Sequence, residues 1–372
     1  MKLTIERASL LKSLAHVQSV VERRNTIPIL SNVLLEADSQ DLRLTATDMD
    51  LSVVEGVSAT VEQAGATTAP AHTLYDIVRK LPEGAEVSFA VAGDGGRMTL
   101  AAGRSNFTLT TLPKEDFPAV GDGTLPQSFA MAAAELQNLI DRTRFAISTE
   151  ETRYYLNGIY LHAAKSDGMA VLRAVATDGH RLARFEMPLP EGAADMPAVI
   201  VPRKTVGELR KLIDEIGGSV EISLSESQVR FAFGETVLTS KLIDGTFPDY
   251  ERVIPAGNDK VMEVDRKVFF EAVDRVSTIS TEKSRAVKLS LGDGALTVSA
   301  TSPDSGSAEE SLEVGYGGEP LEIGFNSRYL LDIAQQIEGE TAEFALADSA
   351  SPTIVRDTAD ASALYVLMPM RV

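Results

Sequence analysis

The stretch LRAVATDGHRL, Leu172–Leu182, decides the reading of this chain, because weaker copies of it stand on either side: LRLTATDMDL at Leu42–Leu51 and LTVSATS at Leu296–Ser302. Each copy opens on a period-2 run. Leu42, Leu44 and Ala46 share one face of a strand, as do Leu172, Ala174 and Ala176, and Leu296, Val298 and Ala300. The copies begin 130 and then 124 residues apart, so a unit of domain length repeats three times.

Each repeat holds two helices. Leu11, Leu14, Val17 and Val21 keep helical spacing over about 8–22, and Pro28 bars any helical continuation beyond it. The counterparts run over 134–147, with Leu136, Leu139, Ile140 and Thr143 inward, and over 266–280, with Phe269, Phe270, Val273 and Val276 inward. The second and third repeats share wording after this helix, ISTEETR at Ile147–Arg153 against ISTEKSR at Ile279–Arg285. PAHTLYDIVRKLPEG, VPRKTVGELRKLIDEIGG and FNSRYLLDIAQQIEG then align as an extended lead-in, a second helix and a glycine stop. Alternating strands come next at 87–91, 220–224 and 342–346, and GDGG after Ala92 has the composition of a hairpin turn. The fold class is therefore α+β, three repeats each made of two helix-plus-sheet halves. Short polar linkers at about 120–127 and 254–260 divide the chain into 1–125, 126–255 and 256–372, and the strand-like terminus through Val372 belongs to the third part.

With 372 residues, 44% of them hydrophobic, the chain has ordinary globular composition. Glu6 and Arg7 interrupt any signal-peptide core, and no apolar run of about 18 residues occurs, so a cytoplasmic protein without a membrane span is expected. The absence of cysteine excludes disulfides, a thiol nucleophile and thiolate metal sites. A net charge of −19 argues on average against tight binding of nucleic acid. The charge is unevenly spread, however: the six helical stretches (8–22, 71–80, 134–147, 203–216, 266–280 and 326–337) together carry +3 and the remainder −22. Mixed charge is what solvated helix faces ordinarily carry, and spacing alone does not distinguish that from a face turned to a polyanion.

Several longer motifs occur in order along the whole chain: RNTIPILSNVLL (24–35), TLPKEDFP (111–118), EETRYYLNGIYL (150–161), ATDGHRLA (176–183), IDGTFPDYERVIP (243–255) and MPMR (368–371). With them the chain resembles the bacterial DNA polymerase III beta subunits, the replicative sliding clamps. The resemblance implies a non-catalytic processivity factor: three-domain protomers joined head to tail as a homodimeric ring, helices inside and sheets outside, around duplex DNA. It implies no cofactor and no metal. Its implied partners are the polymerase III alpha subunit, the clamp loader, and other polymerases and repair proteins that carry clamp-binding peptides.

The resemblance also assigns residues. Arg24 matches a DNA-contacting arginine; Arg203 and Lys204 would lie on the inner surface, with Arg79 and Lys80 on the equivalent helix of the first repeat. Tyr154 and Tyr155, read as the start of a strand, match a pair that reaches DNA. A pocket for a peptide built around glutamine and apolar residues would take Leu156, Thr177, Gly179, His180, Arg181 and Leu182 from the central repeat. Pro248, Arg252 and Val253 would flank it, and Val366, Met368, Pro369, Met370 and Arg371 would complete it. Methionines about a proline make a deformable apolar floor, and the arginines would fix the polar end of the peptide. Ala350 and Pro352 at its rim stand where the family usually has valine and serine. The dimer seam would set Phe107 and Leu109 against Ile279 and Thr278, the last a smaller residue than is common there. Arg97 and Arg104 would face Asp304, Glu309 and Glu310 around it.

Two other readings compete. Asp178 and His180 offer an acid/base or metal pair, yet the chain has four histidines only, and neither a phosphate loop nor a nucleophile elbow accompanies the pair. A repeat scaffold that binds only protein differs from a clamp in that DNA topology would not matter to it.

Overall fold

The computed structural model describes every residue except 92, 94, 122, 281–284 and 372. One motif, a strand, a helix and three strands, occurs six times. In the first repeat Lys2–Glu6 leads into α1 (Arg7–Gln18) and Gly65–Pro70 into α2 (Ala71–Lys80). In the second, Gln127–Ala132 leads into α3 (Ala133–Asp141) and Val199–Pro202 into α4 (Arg203–Ile216). In the third, Lys260–Asp265 leads into α5 (Arg266–Ser277) and Leu321–Asn326 into α6 (Ser327–Ala334). The last lead-in residue often caps the helix. The Glu6, Asp265 and Asn326 side chains accept from the backbone N–H groups of Ser9, Val268 and Arg328, donors that the first helical turn leaves unpaired.

Among the described residues all pairing is antiparallel, and each lead-in strand crosses to the other half of its own repeat. Leu3 lies opposite Phe89 and Val33 opposite Ala69; Phe129 faces Ile222 and Ile159 faces Val201; Met262 faces Phe344 and Leu289 faces Ile323. The closing strands join repeat to repeat. Leu51–Ser58 pairs with Thr236–Lys241, giving an eight-stranded sheet, and Arg181–Pro188 pairs with Ala363–Leu367, giving one of nine strands. Sheets of five and four strands remain, and each ends on a closing strand, Ser105–Thr110 in one and Gly306–Glu313 in the other. Two compact units result, one of Met1–Glu135, Pro190–Met196 and Lys204–Leu242, the other of Leu136–Leu189, Pro197–Arg203 and Ile243–Val372. Among the described residues no helix is long and apolar enough to cross a membrane.

The period-2 runs are buried as expected, all nine residues at 5% exposure or less. Four helices stop short of the spans that apolar spacing predicts. After α1 the Ser19 hydroxyl donates to the His16 carbonyl, and at the end of α5 that of Ser277 donates to Asp274, so side chains meet carbonyls that further turns would have used. The predicted helix over 134–147 ends at Asp141. There the Thr143 hydroxyl donates to the Leu139 carbonyl, Arg142 turns to the Gln336 carbonyl, and the chain re-forms as one 3-10 turn at Arg144–Ala146. The helix over 326–337 ends at Ala334, whereas those over 71–80 and 203–216 match their predicted spans. Val91 and Met98 pair across the expected GDGG hairpin, but residues 92 and 94 of that turn, 122 in the first linker, 281–284 of ISTEKSR and the terminal Val372 lie outside the described residues.

The joint in the first unit between α1, Leu51–Ser58, α4 and Thr236–Lys241 is polar at its centre. His16, 5% exposed, sets Nδ1 3.1 Å from Glu55 Oε2 and Nε2 2.8 Å from Glu215 Oε2, and the Thr236 hydroxyl donates to the same Glu55 oxygen. Burial alone would lower the His16 pKa, but hydrogen bonds and charge from the two carboxylates outweigh it and raise the pKa above the ordinary value. The folded chain therefore holds this proton more tightly than the unfolded one. The resulting stabilisation is complete below about pH 6.5 and fades as pH rises through the raised folded pKa. We expect the melting-temperature gap between wild type and His16→Leu to be widest near pH 6 and to shrink towards about pH 9. Scanning calorimetry at a series of pH values tests this, and a gap independent of pH would refute it.

Candidate functional site

The stretch Leu172–Leu182 folds as a hairpin between Met169–Thr177 and Arg181–Pro188. Its turn is set by short polar side chains. Asp178 Oδ1 accepts from the N–H groups of His180 (2.9 Å) and Arg181 (3.0 Å), and the Thr177 hydroxyl donates to the Arg181 carbonyl and accepts from the Gly179 N–H. Gly179 has φ +89°, and a β-carbon there would collide with the Arg153 guanidinium. The first repeat builds the same turn, with Asp48 Oδ1 accepting from Asp50 and Leu51 and the Thr47 hydroxyl donating to the Leu51 carbonyl. There Met49 takes the positive φ, 81°. Both Asp178 oxygens are thus engaged, since Oδ2 also accepts from Arg181 Nε at 3.2 Å. That leaves little basis for an Asp178–His180 acid/base pair. Among the described residues no group of three potential ligands is placed to hold a metal ion.

Beneath the hairpin lies an apolar cluster within the second unit. Leu182 pairs with Val366 and Val366 with Ile354 across three neighbouring strands, and Leu156, Val175 and Phe247 pack with them. Of the expected pocket residues, Leu156, Leu182 and Val366 are thus a buried floor. Thr177, Pro369 and Met370 are half-buried, while Gly179, His180, Pro248, Arg252 and Arg371 are exposed. Val253 and Met368 expose 44% and 38% of their surface, as several other apolar side chains of the chain do, and can offer apolar contact to a ligand. The terminus is tied down here, the Met368 N–H donating to the His180 carbonyl and the Met370 N–H to that of Gly324. Asn258 donates to the Ala345 and Pro352 carbonyls, which anchors the rim segment containing Ala350 and Pro352.

Arg181 departs from its expected place. Its guanidinium is buried rather than turned to a ligand: it donates to Asp178, to Asp332 (2.5 Å) and to the Phe145 carbonyl (2.6 Å), and lies over the Tyr329 ring. Arg252 stays exposed beside Asp249 and can meet a polar group. Period-2 reasoning missed Arg173, which occupies the other buried face of its strand. Arg173 donates to Glu186, to the Tyr250 hydroxyl and to Glu251, while His162 lies 3.0 Å from that hydroxyl. Burial lowers the His162 pKa, with Arg173 adding to the effect, which favours the neutral ring. This network holds the 3-10 turn Tyr250–Val253 against the sheet. The sequence signal for it was a charged residue between apolar ones on both sides, the mark of a strand covered on two faces.

The expected DNA-contacting residues divide into free and engaged groups. Arg24, Lys80 and Arg203 are exposed, with no ion-pair partner among the described residues. Arg79 pairs with Asp76 at 3.0 Å. Lys204 is already satisfied, its ammonium donating to Glu22 (2.9 Å) and Asp48 (2.5 Å); burial would lower its pKa, but these two carboxylates raise it. Tyr154 and Tyr155 sit in the 3-10 turn Glu151–Leu156, not at a strand start, with Tyr154 exposed and its ring edge-on to Tyr155 at 5.8 Å.

At the expected seam, Arg97, Arg104, Thr278, Asp304 and Glu309 are exposed, and Phe107 and Ile279 are half-buried. Leu109 is only 8% exposed, so little of its side chain is left for a partner. Glu310 is engaged within its own chain, accepting from Arg275 Nε and Nη2 at 3.0 and 2.7 Å, and so is not free for Arg97 or Arg104.

Family comparison agrees over the full length. The models of the N-terminal, central and C-terminal domains of the DNA polymerase III beta subunit match residues 1–121, 130–249 and 251–371. The beta sliding clamps of Caulobacter vibrioides and Escherichia coli are 57% and 41% identical over 372 residues, covering all of both chains in each case. Among solved structures, a Caulobacter crescentus beta sliding clamp is 57% identical with a TM-score of 0.98, covering all of this chain and 99% of that one. It carries polyethylene glycol at what is described there as a beta-motif tethering region. A Bartonella birtlesii sliding clamp bound to griselimycin is 54% identical, with a TM-score of 0.97 and full coverage of both chains. The chain belongs to the bacterial DNA polymerase III beta subunit family, the beta sliding clamps, non-catalytic polymerase subunits that act as processivity factors in DNA replication.

Proposed function

We propose that two copies of this chain, each of three clamp domains (1–125, 126–255 and 256–372), close head to tail into a ring that encircles duplex DNA in the cytoplasm. The observation that carries this reading is the pattern of closing strands. Two such pairs join a first half to the second half of the next repeat, and the two closing strands left over, Gly306–Glu313 and Ser105–Thr110, are one of each kind. Pairing them between copies extends the same rule and removes both exposed edges. Acidic Glu309 and Glu313 on one edge, with Arg104 beside the other, favour that polarity.

A ring retains DNA by topology, so a chain of net charge −19 in which exposed cations such as Arg24, Lys80 and Arg203 are spread out suits it better than a tight phosphate site would. The exposed apolar rim of Val253 and Met368 above the floor of Leu182 and Val366 suits a short peptide of glutamine and apolar residues. Such peptides would come from the polymerase alpha subunit, the clamp loader, other polymerases and repair proteins.

Loaded by its clamp loader and ATP onto nicked circular plasmid, the protein should co-elute with the circle in gel filtration and be lost once the plasmid is linearised. Release that tracks salt and ignores the cut would replace encirclement with surface binding. For the pocket, Met368→Glu should weaken capture of a glutamine-containing apolar peptide by about ten-fold at an unchanged melting temperature. Arg181→Leu should instead lower stability by about 3 kcal/mol, because it leaves Asp178 and Asp332 without their partner. Isothermal titration and thermal denaturation separate the two effects, and equal peptide affinity for Met368→Glu and wild type would remove Met368 from the pocket.

A further inference from the structure

An ionic lock recurs at the joints between repeats. His16 is the tenth residue of α1, Arg142 stands tenth from the start of α3, and Arg275 is the tenth residue of α5. The first two reach a glutamate just beyond or near the end of the second-half helix of the next repeat: His16 Nε2 lies 2.8 Å from Glu215, and Arg142 Nη2 lies 3.0 Å from Glu338. His16 also holds a glutamate of its own sheet, Glu55, the fifth residue of Leu51–Ser58.

Arg275 has the inner half of this arrangement. It holds Glu310, the fifth residue of Gly306–Glu313, while Nη1 has, among the described residues, only Glu271 of its own helix at 3.7 Å. Among the described residues the outer acid is missing. Glu215 and Glu338 stand shortly before Gly217 and Gly339, and the third member of that set is Glu83, before Gly84 in the turn after α2. Glu83 is exposed and has no ion-pair partner among the described residues. Its half-repeat ends on Ser105–Thr110, and that of Arg275 ends on Gly306–Glu313, the two unpaired closing strands.

We propose that Arg275 of one copy pairs with Glu83 of a second copy of this chain, completing a third lock at the joint between subunits. The proposal rests on the head-to-tail dimer argued above. A guanidinium that spends one edge on Glu310 keeps donors for a second carboxylate, as the imidazole of His16 does with its other nitrogen.

Opposite charge reversals provide the test, because complementation must occur in trans. Full-length Arg275→Glu and Glu83→Arg are each studied by sedimentation velocity over a dilution series, alone and mixed in equal amounts. Each alone should raise the dimer dissociation constant about ten-fold or more, while the mixed dimer, in which both joints again pair opposite charges, should return to within about three-fold of wild type. A variant that misfolds could not be rescued by mixing, so recovery would establish the contact. Mixtures as weak as the separate variants, beside a dimeric wild type, would overturn the pair and leave the dimer intact. A wild type that stays monomeric throughout the series would remove the dimer and the lock together.

Discussion

Backbone pairing between the closing strands, Leu51–Ser58 with Thr236–Lys241 and Arg181–Pro188 with Ala363–Leu367, is the contact on which the other features depend. A closing strand left alone would expose a row of N–H and C=O groups, whereas pairing satisfies them and makes one sheet of two repeats. Register is set by burial, since a slip of one residue would turn every apolar side chain to the wrong face. The register found sets Leu182 beside Val366 and so builds the floor of the apolar cluster from two repeats. In the first unit it sets Val54 opposite Val237, which brings Glu55 and Thr236 together around His16.

Much of the positive charge in this acidic chain is structural. Arg142, Arg173 and Arg181 are buried with carboxylates or carbonyls, and Lys204 joins Glu22 and the Asp48 turn. Removing one partner of buried Arg142, Arg173 or Arg181 leaves a charge without compensation, so each helps to hold its elements in place. Other cations, Arg24, Lys80 and Arg203 among them, stay exposed without an ion-pair partner among the described residues. Charge counts by helix cannot distinguish the two classes, because an arginine at a joint and an arginine facing solvent contribute equally.

The repeated ATD turn shows how a short motif serves fold and site together. Asp48 and Asp178 each close a hairpin through two backbone N–H groups, a local arrangement that their sequence alone suffices to specify. In the second repeat the turn also presents His180, whose carbonyl accepts from Met368 and fixes the terminal segment beside the cluster. A hairpin that closes one repeat thereby positions the end of another.

The sequence by itself determined the α+β class, the threefold repeat with its two halves, the buried faces of the repeated strands and the family, because each depends on local periodicity or on motifs that remain together in the chain. It also marked the segments that form the candidate pocket. Tertiary structure alone decided which members of those segments are floor, rim or scaffold. Arg181 and Lys204 looked like ligand-facing cations until their carboxylate partners, distant in sequence, were placed beside them. Arg173 was hidden because period-2 reading assigns one buried face, and this strand has two. The premature ends of α1, α3 and α5 were missed for a related reason: hydroxyl-to-carbonyl bonds compete with the helix at single residues, below the resolution of a hydrophobic pattern. Periodicity reports which side of an element is buried, and only the fold reports what each charged atom meets there.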